Sequence, residues 1–266
     1  MSTQRLFHGS LINPVSIHEA HYLERALLAV SAEGIIEWVE NDVDPTEIQD
    51  VALKHGLALD DSVEVHELKY GEWLMPGFVD THTHAPQFPN LGVGGQYELL
   101  DWLNNVTFPT ESRFSDLAFA GRVYASVVER VLSFGTTTCC YYGTLHLEAT
   151  KLLADIISQK GQRAFVGKCN MDRNSAPYEE PCVSQSIADT KTLISHIRSL
   201  SPSSPLVHPI LTPRFAISCT SELLKSLGDL AQSDKTLAIQ THISENAKEI
   251  EFTRKLFPKC SSYAAV

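Results

Sequence analysis

Two histidines one residue apart, His82 and His84, close the apolar run Leu74-Met75-Pro76-Gly77-Phe78-Val79-Asp80-Thr81. On an extended strand the side chains alternate faces, so both imidazoles point one way and Thr81 and Thr83 the other. Neutral imidazole nitrogen is a good zinc ligand, and two rings converging from a strand end form half of a metal site. A hydrogen-bonded pair at a strand end is the plainer alternative, and a short motif does not separate the two without its context.

Two further segments add chemistry. Ala238-Ile239-Gln240-Thr241-His242-Ile243-Ser244-Glu245-Asn246 puts His242 at a predicted strand end and Glu245 three positions later, where the chain turns into a helix. A carboxylate there can take a proton from water whose pKa a metal has lowered to roughly 7, and pass it to a substrate nitrogen. The plainer alternative makes Ser244 a helix cap and Glu245 a first-turn acid facing the dipole. Beside His82 and His84, the metal-and-acid reading is favoured. Leu211-Thr212-Pro213-Arg214-Phe215 offers Arg214 as a donor-only fork for a carbonyl oxygen and Phe215 as a face for a flat ring. Gln87, in His84-Ala85-Pro86-Gln87, can bond a ring edge through its amide. A surface Arg, a packing Phe and a loop Gln are the bland alternatives.

Strands must deliver these groups. Residues 1–72 read as a β-rich module: a strand at Leu6–Ile12, a hairpin of Ala26–Ser31 and Ile35–Val39 around Ala32-Glu33-Gly34, a helix over Pro45–His55 and a strand at Ser62–Leu68. From residue 73 strand candidates Leu74–Val79, Thr136–Tyr142, Arg163–Lys168, Leu206–Thr212 and Leu237–His242 appear. Between them lie amphipathic stretches Leu117–Phe134, Leu147–Lys160, Ser184–Leu200 and Ser221–Ala231, with Gly135 and Gly161 where C-terminal caps belong. Alternating β and α units predict a parallel sheet, and no glycine-rich phosphate loop follows any strand. The expected fold is α/β: a partial (β/α)8 TIM-type barrel of about the first five βα units over 73–266, preceded by the small β-sheet module over 1–72. The histidines then sit at the C-terminal ends of the first and fifth strands, the face where barrel active sites form. A whole barrel takes about 250 residues, so the barrel is expected to be C-terminally incomplete.

The 266 residues carry a net charge of -11, with 43% hydrophobic and 20% charged residues, an ordinary composition for a soluble globular protein. The acidic balance argues against nonspecific nucleic-acid binding. No apolar run approaches the roughly 20 residues of a membrane helix. The first residues carry no secretory pattern. Six cysteines without a C-x-x-C pair read as reduced cytosolic thiols, with Cys139 and Cys140 in the core.

With these residues in place the chain resembles the amidohydrolase superfamily and, within it, the guanine deaminase family. Residues 76–85, Gly135-Thr136-Thr137-Thr138, residues 161–168, Thr212-Pro213-Arg214-Phe215 and His242-Ile243-Ser244-Glu245-Asn246 look like that family in its order. The resemblance implies His82, His84 and His242 as ligands of one Zn2+ per subunit and Glu245 as the catalytic proton shuttle. It implies a purine site lined by His84, Gln87, Arg214, Phe215, His242 and Glu245. The implied reaction is hydrolysis of guanine to xanthine and ammonia in purine catabolism, with Glu245 protonating N3 as water attacks C2 and Arg214 donating to O6. The resemblance also suggests a cytosolic protein that forms a homodimer; no nucleic-acid or membrane partner is expected. The family also takes a histidine from a sixth strand and an aspartate from an eighth, and neither has a counterpart here. Leu206–Thr212 lacks the lysine that bridges two metals in binuclear relatives, which favours the mononuclear type. Another amidohydrolase acting on a different heterocycle is the alternative within enzymes. A partial chain that binds full-length subunits is the alternative outside them, and the isolated chain is then expected to be poorly soluble or inactive.

Overall fold

The computed structural model describes residues 3–200 and 205–266, and the chain divides into two units, 1–77 and 78–266. In the first, β1 (Gln4–Pro14) turns Leu6 and His8 inward. A bulge between Gly9 and Leu11 then shifts the register so that Leu11 continues the buried face. Gly9 has φ +144°, and a Cβ there would meet the Leu68 Cβ at 2.6 Å, so the bulge needs glycine. Strand β2 (Ala20–Val30) pairs antiparallel with β1, and β3 (Ile36–Glu40) with β2. Helix α1 (Ile48–Lys54) follows, and β4 (Val63–Glu67) and β5 (Trp73–Leu74) add parallel to β1. Leu6, Leu27, Ala29, Val43, Ile48 and Ala52 form its core.

The second unit alternates strand and helix. Strand β6 (Phe78–His84) is followed by α2 (Leu99–Trp102), a π-helical turn at Leu103–Thr107, α3 (Phe108–Ser112) and α4 (Leu117–Ser133). Then come β7 (Thr136–Tyr142), α5 (Leu147–Lys160), β8 (Arg163–Gly167), β9 (Cys169–Asn170) and α6 (Val183–Leu200). Strand β10 (Val207–Pro213), α7 (Ser221–Ser233), β11 (Ala238–Ile239) and α8 (Ala247–Leu256) complete it. The sheet order is β6-β7-β8-β10-β11, with β9 pairing β10 and every pairing parallel. Period-two alternation in β7 buries Cys139 and Tyr141 against Val127, Val128, Leu153 and Ile157 of α4 and α5. Each such fully buried aliphatic side chain contributes about 1.5–3 kcal/mol. Gly135 (φ +82°) and Gly161 (φ +69°) end α4 and α5 in the left-handed conformation that the sequence signalled.

The structure differs from the sequence expectation at four places. The strand predicted over Leu74–Val79 is two: Trp73–Leu74 pairs with β1, the chain breaks at Pro76-Gly77, and β6 starts at Phe78. The unit boundary accordingly falls after Gly77 rather than after residue 72. The predicted fifth strand shortens to Ala238–Ile239, though Gln240 N–H still donates to Leu211 O and His242 bridges to Phe215. Helical turns over Leu99–Ser112, which Asn104, Asn105 and Pro109 hid from any periodicity, were not expected. Among the described residues no helix is long and apolar enough to cross a membrane.

Candidate metal centre and active site

His82 and His84 leave the end of β6 on one face, as strand alternation requires, with ring centroids 5.0 Å apart. His242 arrives after β11 and sets its Nε2 2.9 Å from Nε2 of His84. The ligand-capable nitrogens of all three lie within 4.8 Å of one another. A metal–imidazole bond of about 2.0–2.1 Å puts tetrahedral donors about 3.3 Å apart, so the trio is compatible with a metal site.

Hydrogen bonding sets the tautomer of His242. The Arg214 carbonyl accepts from the His242 backbone N–H at 3.2 Å and from ring Nδ1 at 2.6 Å. A carbonyl only accepts, so Nδ1 holds the proton and Nε2 keeps its lone pair, as a metal ligand with a carbonyl behind it must. The buried Nδ1 of His84 has no partner among the described residues. Burial lowers the pKa of all three imidazoles, that of His84 well below the usual 6.5 and that of His242 to about 4. The Arg214 charge adds to the depression at His84 and His242. The rings are therefore held neutral, the form that binds a cation.

Tyr142, fully buried at the end of β7, lies against all three rings, its centroid 4.4 Å from His84, 4.7 Å from His242 and 4.8 Å from His82. Sequence reasoning passed over it because an aromatic at a strand end reads as ordinary core.

The cluster opens into a cavity of about 290 Å³. All seven residues singled out from the sequence line it: His82, His84, Gln87, Arg214, Phe215, His242 and Glu245. Leu99, Trp102 and Leu103, from the unexpected helical stretch, supply an apolar wall. Phe215 is 5% exposed and meets His242 edge-on at 6.5 Å.

Arg214 is not a surface residue; it is 2% exposed. Its fork is met by the Glu111 carboxylate, at 2.5 Å from Nη1 and 3.0 Å from Nη2. Gln87 Nε2 donates to the same carboxylate at 3.3 Å. Glu111 carried no sequence signal.

Ser244 does not cap α8. Asn246 does, accepting from Lys248 N–H, with Glu249 completing a capping box. Glu249 Oε2 accepts from the backbone N–H groups of Glu245 (2.7 Å) and Asn246 (3.2 Å), and Tyr263 donates its hydroxyl to Oε1 at 2.5 Å. Ser244 has φ +58°, a conformation costing a non-glycine residue about 1–3 kcal/mol, which these bonds offset. Burial, then the nearby Glu249, raises the Glu245 carboxyl above the usual range, with Arg214 opposing.

Residues 73–266 match the amidohydrolase family model. Guanine deaminase of Dictyostelium discoideum is 44% identical over 98% of this chain and 58% of that protein. Guanine deaminase of Homo sapiens is 38% identical over 98% of this chain and 56% of that protein. In structure the chain is similar to guanine deaminase from C. acetobutylicum with guanine bound in the active site (TM-score 0.86, 31% identity, 98% of this chain, 58% of that one). It is also similar to E. coli guanine deaminase (TM-score 0.84, 29% identity, 100% of this chain, 58% of that one). The chain spans a little over half the length of these relatives.

Proposed function

The chain belongs to the amidohydrolase family, and we propose that its 78–266 unit forms the first five βα units of a (β/α)8 barrel that deaminates guanine to xanthine and ammonia with zinc. One observation carries this: three imidazoles, an acid, a guanidinium, an amide and an aromatic face line a single cavity. At about 290 Å³ it lies at the small end of ligand pockets, about 300–1,000 Å³. Relatives named guanine deaminases, one with guanine bound, support the choice of ring.

His82, His84 and His242 would hold zinc, which when bound supplies an electrophilic centre and lowers the pKa of water toward about 7. The remaining work belongs to the chain. Arg214 donates to O6, the Gln87 amide bonds the ring edge, and Phe215 lies against the ring face. Glu245, its carboxyl raised by burial, takes a proton from water and delivers it to N3. Adenine carries an amino group where guanine carries O6, so Arg214 would face a donor and stay unpaired. An unsatisfied buried donor costs about 1–3 kcal/mol, which selects against adenine. The free cysteines, none in a C-x-x-C pair, support a cytosolic protein.

The test measures zinc and guanine separately. Expected are one zinc per chain by metal analysis, calorimetric binding of guanine, and xanthine as the product. Arg214→Ala and Arg214→Gln should retain zinc and lose guanine. A protein that binds neither ligand, or an Arg214→Ala variant that binds guanine as well as its parent, refutes the proposal.

A further inference from the structure

We propose that Glu111 is a positioning residue for purine selection, clamping the Arg214 guanidinium so that its free donors meet an oxo group at the purine 6-position; this rests on the guanine reading above. Glu111 stands on α3, 103 residues from Arg214, and is 0% exposed. Its two oxygens take one N–H from each terminal nitrogen of Arg214, which fixes one edge of the planar fork. Phe108, on the same short helix, lies under the guanidinium, with Cζ 5.2 Å from the ring centroid, and restrains its face. Edge and face held together leave a flat group no freedom to rotate.

The same carboxylate also accepts from Gln87 at 3.3 Å. One buried acid thus ties together the two polar groups assigned to the ring, one just beyond β6 and the other just beyond β10. Arg214 has five N–H groups; the carboxylate occupies two, and the Met171 sulfur, 3.9 Å from Nη1, is a weak acceptor for a third. The unoccupied donors belong to a side chain that lines the cavity. Glu111 also balances the guanidinium charge beside three imidazoles that would hold a cation. Without that balance the fork would be a buried, mobile, unpaired charge.

A salt bridge that merely stabilises the fold would not discriminate between ligands, and the experiment uses that difference. 2-Aminopurine keeps the purine ring and the 2-amino group of guanine but lacks O6. Binding of both ligands is measured calorimetrically for the parent and for Glu111→Gln, with zinc content determined on the same samples. Expected is a loss of about tenfold or more for guanine, less than about twofold for 2-aminopurine, and unchanged zinc. Equal weakening of both ligands, or of neither, overturns the role. Where Glu111→Gln does not fold, Glu111→Asp serves: it keeps the charge but is one methylene too short to reach the Arg214 fork, and the same selective loss is expected. A parent protein that binds no guanine overturns the guanine reading and this role with it. A parent that binds guanine beside a Glu111→Gln variant that binds it equally overturns the Glu111 role alone.

Discussion

Lys168→Met and Glu180→Leu should together damage the 78–266 unit far less than the sum of the two alone. Lys168 is 2% exposed and Glu180 5%. Lys168 Nζ bonds Glu180 Oε1 and, at 3.3 Å, the Cys169 carbonyl. Glu180 Oε2 accepts from the Met171 backbone N–H at 3.0 Å and from the Ser186 hydroxyl at 2.6 Å. Removing one partner of a buried pair costs about 3–5 kcal/mol. Lys168→Met leaves the carboxylate two donors and belongs near about 3 kcal/mol. Glu180→Leu leaves an ammonium with one carbonyl and orphans the Met171 amide, which places it near about 5 kcal/mol. The double variant buries no charge and retains only the orphaned amide and hydroxyl, about 1–3 kcal/mol. The expected coupling is therefore about 5–7 kcal/mol. Urea unfolding followed by Trp102 fluorescence, in a Trp38→Phe/Trp73→Phe background, reports on this unit alone, because the other two tryptophans lie in residues 1–77. Since about 5 kcal/mol is a large share of a domain's total stability, Glu180→Gln is measured alongside as a milder step. Additive losses in the double variant, or single losses below about 1 kcal/mol, would refute the reasoning.

Three other outcomes follow from the site and the thiols. Glu245→Gln should keep zinc and guanine affinity and lower xanthine formation by about 10²–10⁴-fold, because the amide cannot relay a proton; retained turnover, or lost zinc, contradicts the role. In thiol labelling at pH 8 the exposed Cys182, lowered by the Ser184 hydroxyl, should react first, and the buried Cys169 and Cys219, pushed up to about 12, last. A thiol raised in the folded state stabilises below its unfolded pKa of about 9 and loses that contribution as pH rises toward about 12, so melting temperature should fall across this window and fall less in Cys169→Ala.

What the sequence made legible was whatever repeats at a fixed spacing or belongs to a restricted chemical alphabet. The helices Leu147–Lys160 and Val183–Leu200 were readable because apolar residues recur with the helical period and Gly161 ends the first of them. His82 and His84 were readable because few side chains bind cations and a two-residue step puts both on one strand face. The β5/β6 break was not, since Leu74 to Val79 is apolar throughout and only Pro76-Gly77 hinted at an interruption. The cap offered at Ser244 as the plainer alternative fails for a related reason. A serine before an acid looks like a cap, but Asn246 has the extended backbone that capping needs, while Ser244 sits in a left-handed turn.

Glu111 illustrates a deeper asymmetry. Ligand-binding groups announce themselves through residue type, whereas a group that compensates another's charge can be either acid, anywhere in the chain. Phe108-Pro109-Thr110-Glu111-Ser112 has no motif, and its partner lies 103 residues away. Yet a buried guanidinium cannot stand alone: once Arg214 is taken to be buried and to face a ring, a buried carboxylate must accompany it. The chain has 32 acidic residues, and burial decides among them. Only Glu111, Glu180 and Glu249 are buried among the described residues, and two of these are already committed, Glu180 to Lys168 and Glu249 to the α8 cap. Elimination on physical grounds thus reaches the same residue that the hydrogen-bond geometry finds, and it does so from the solvation cost of one arginine.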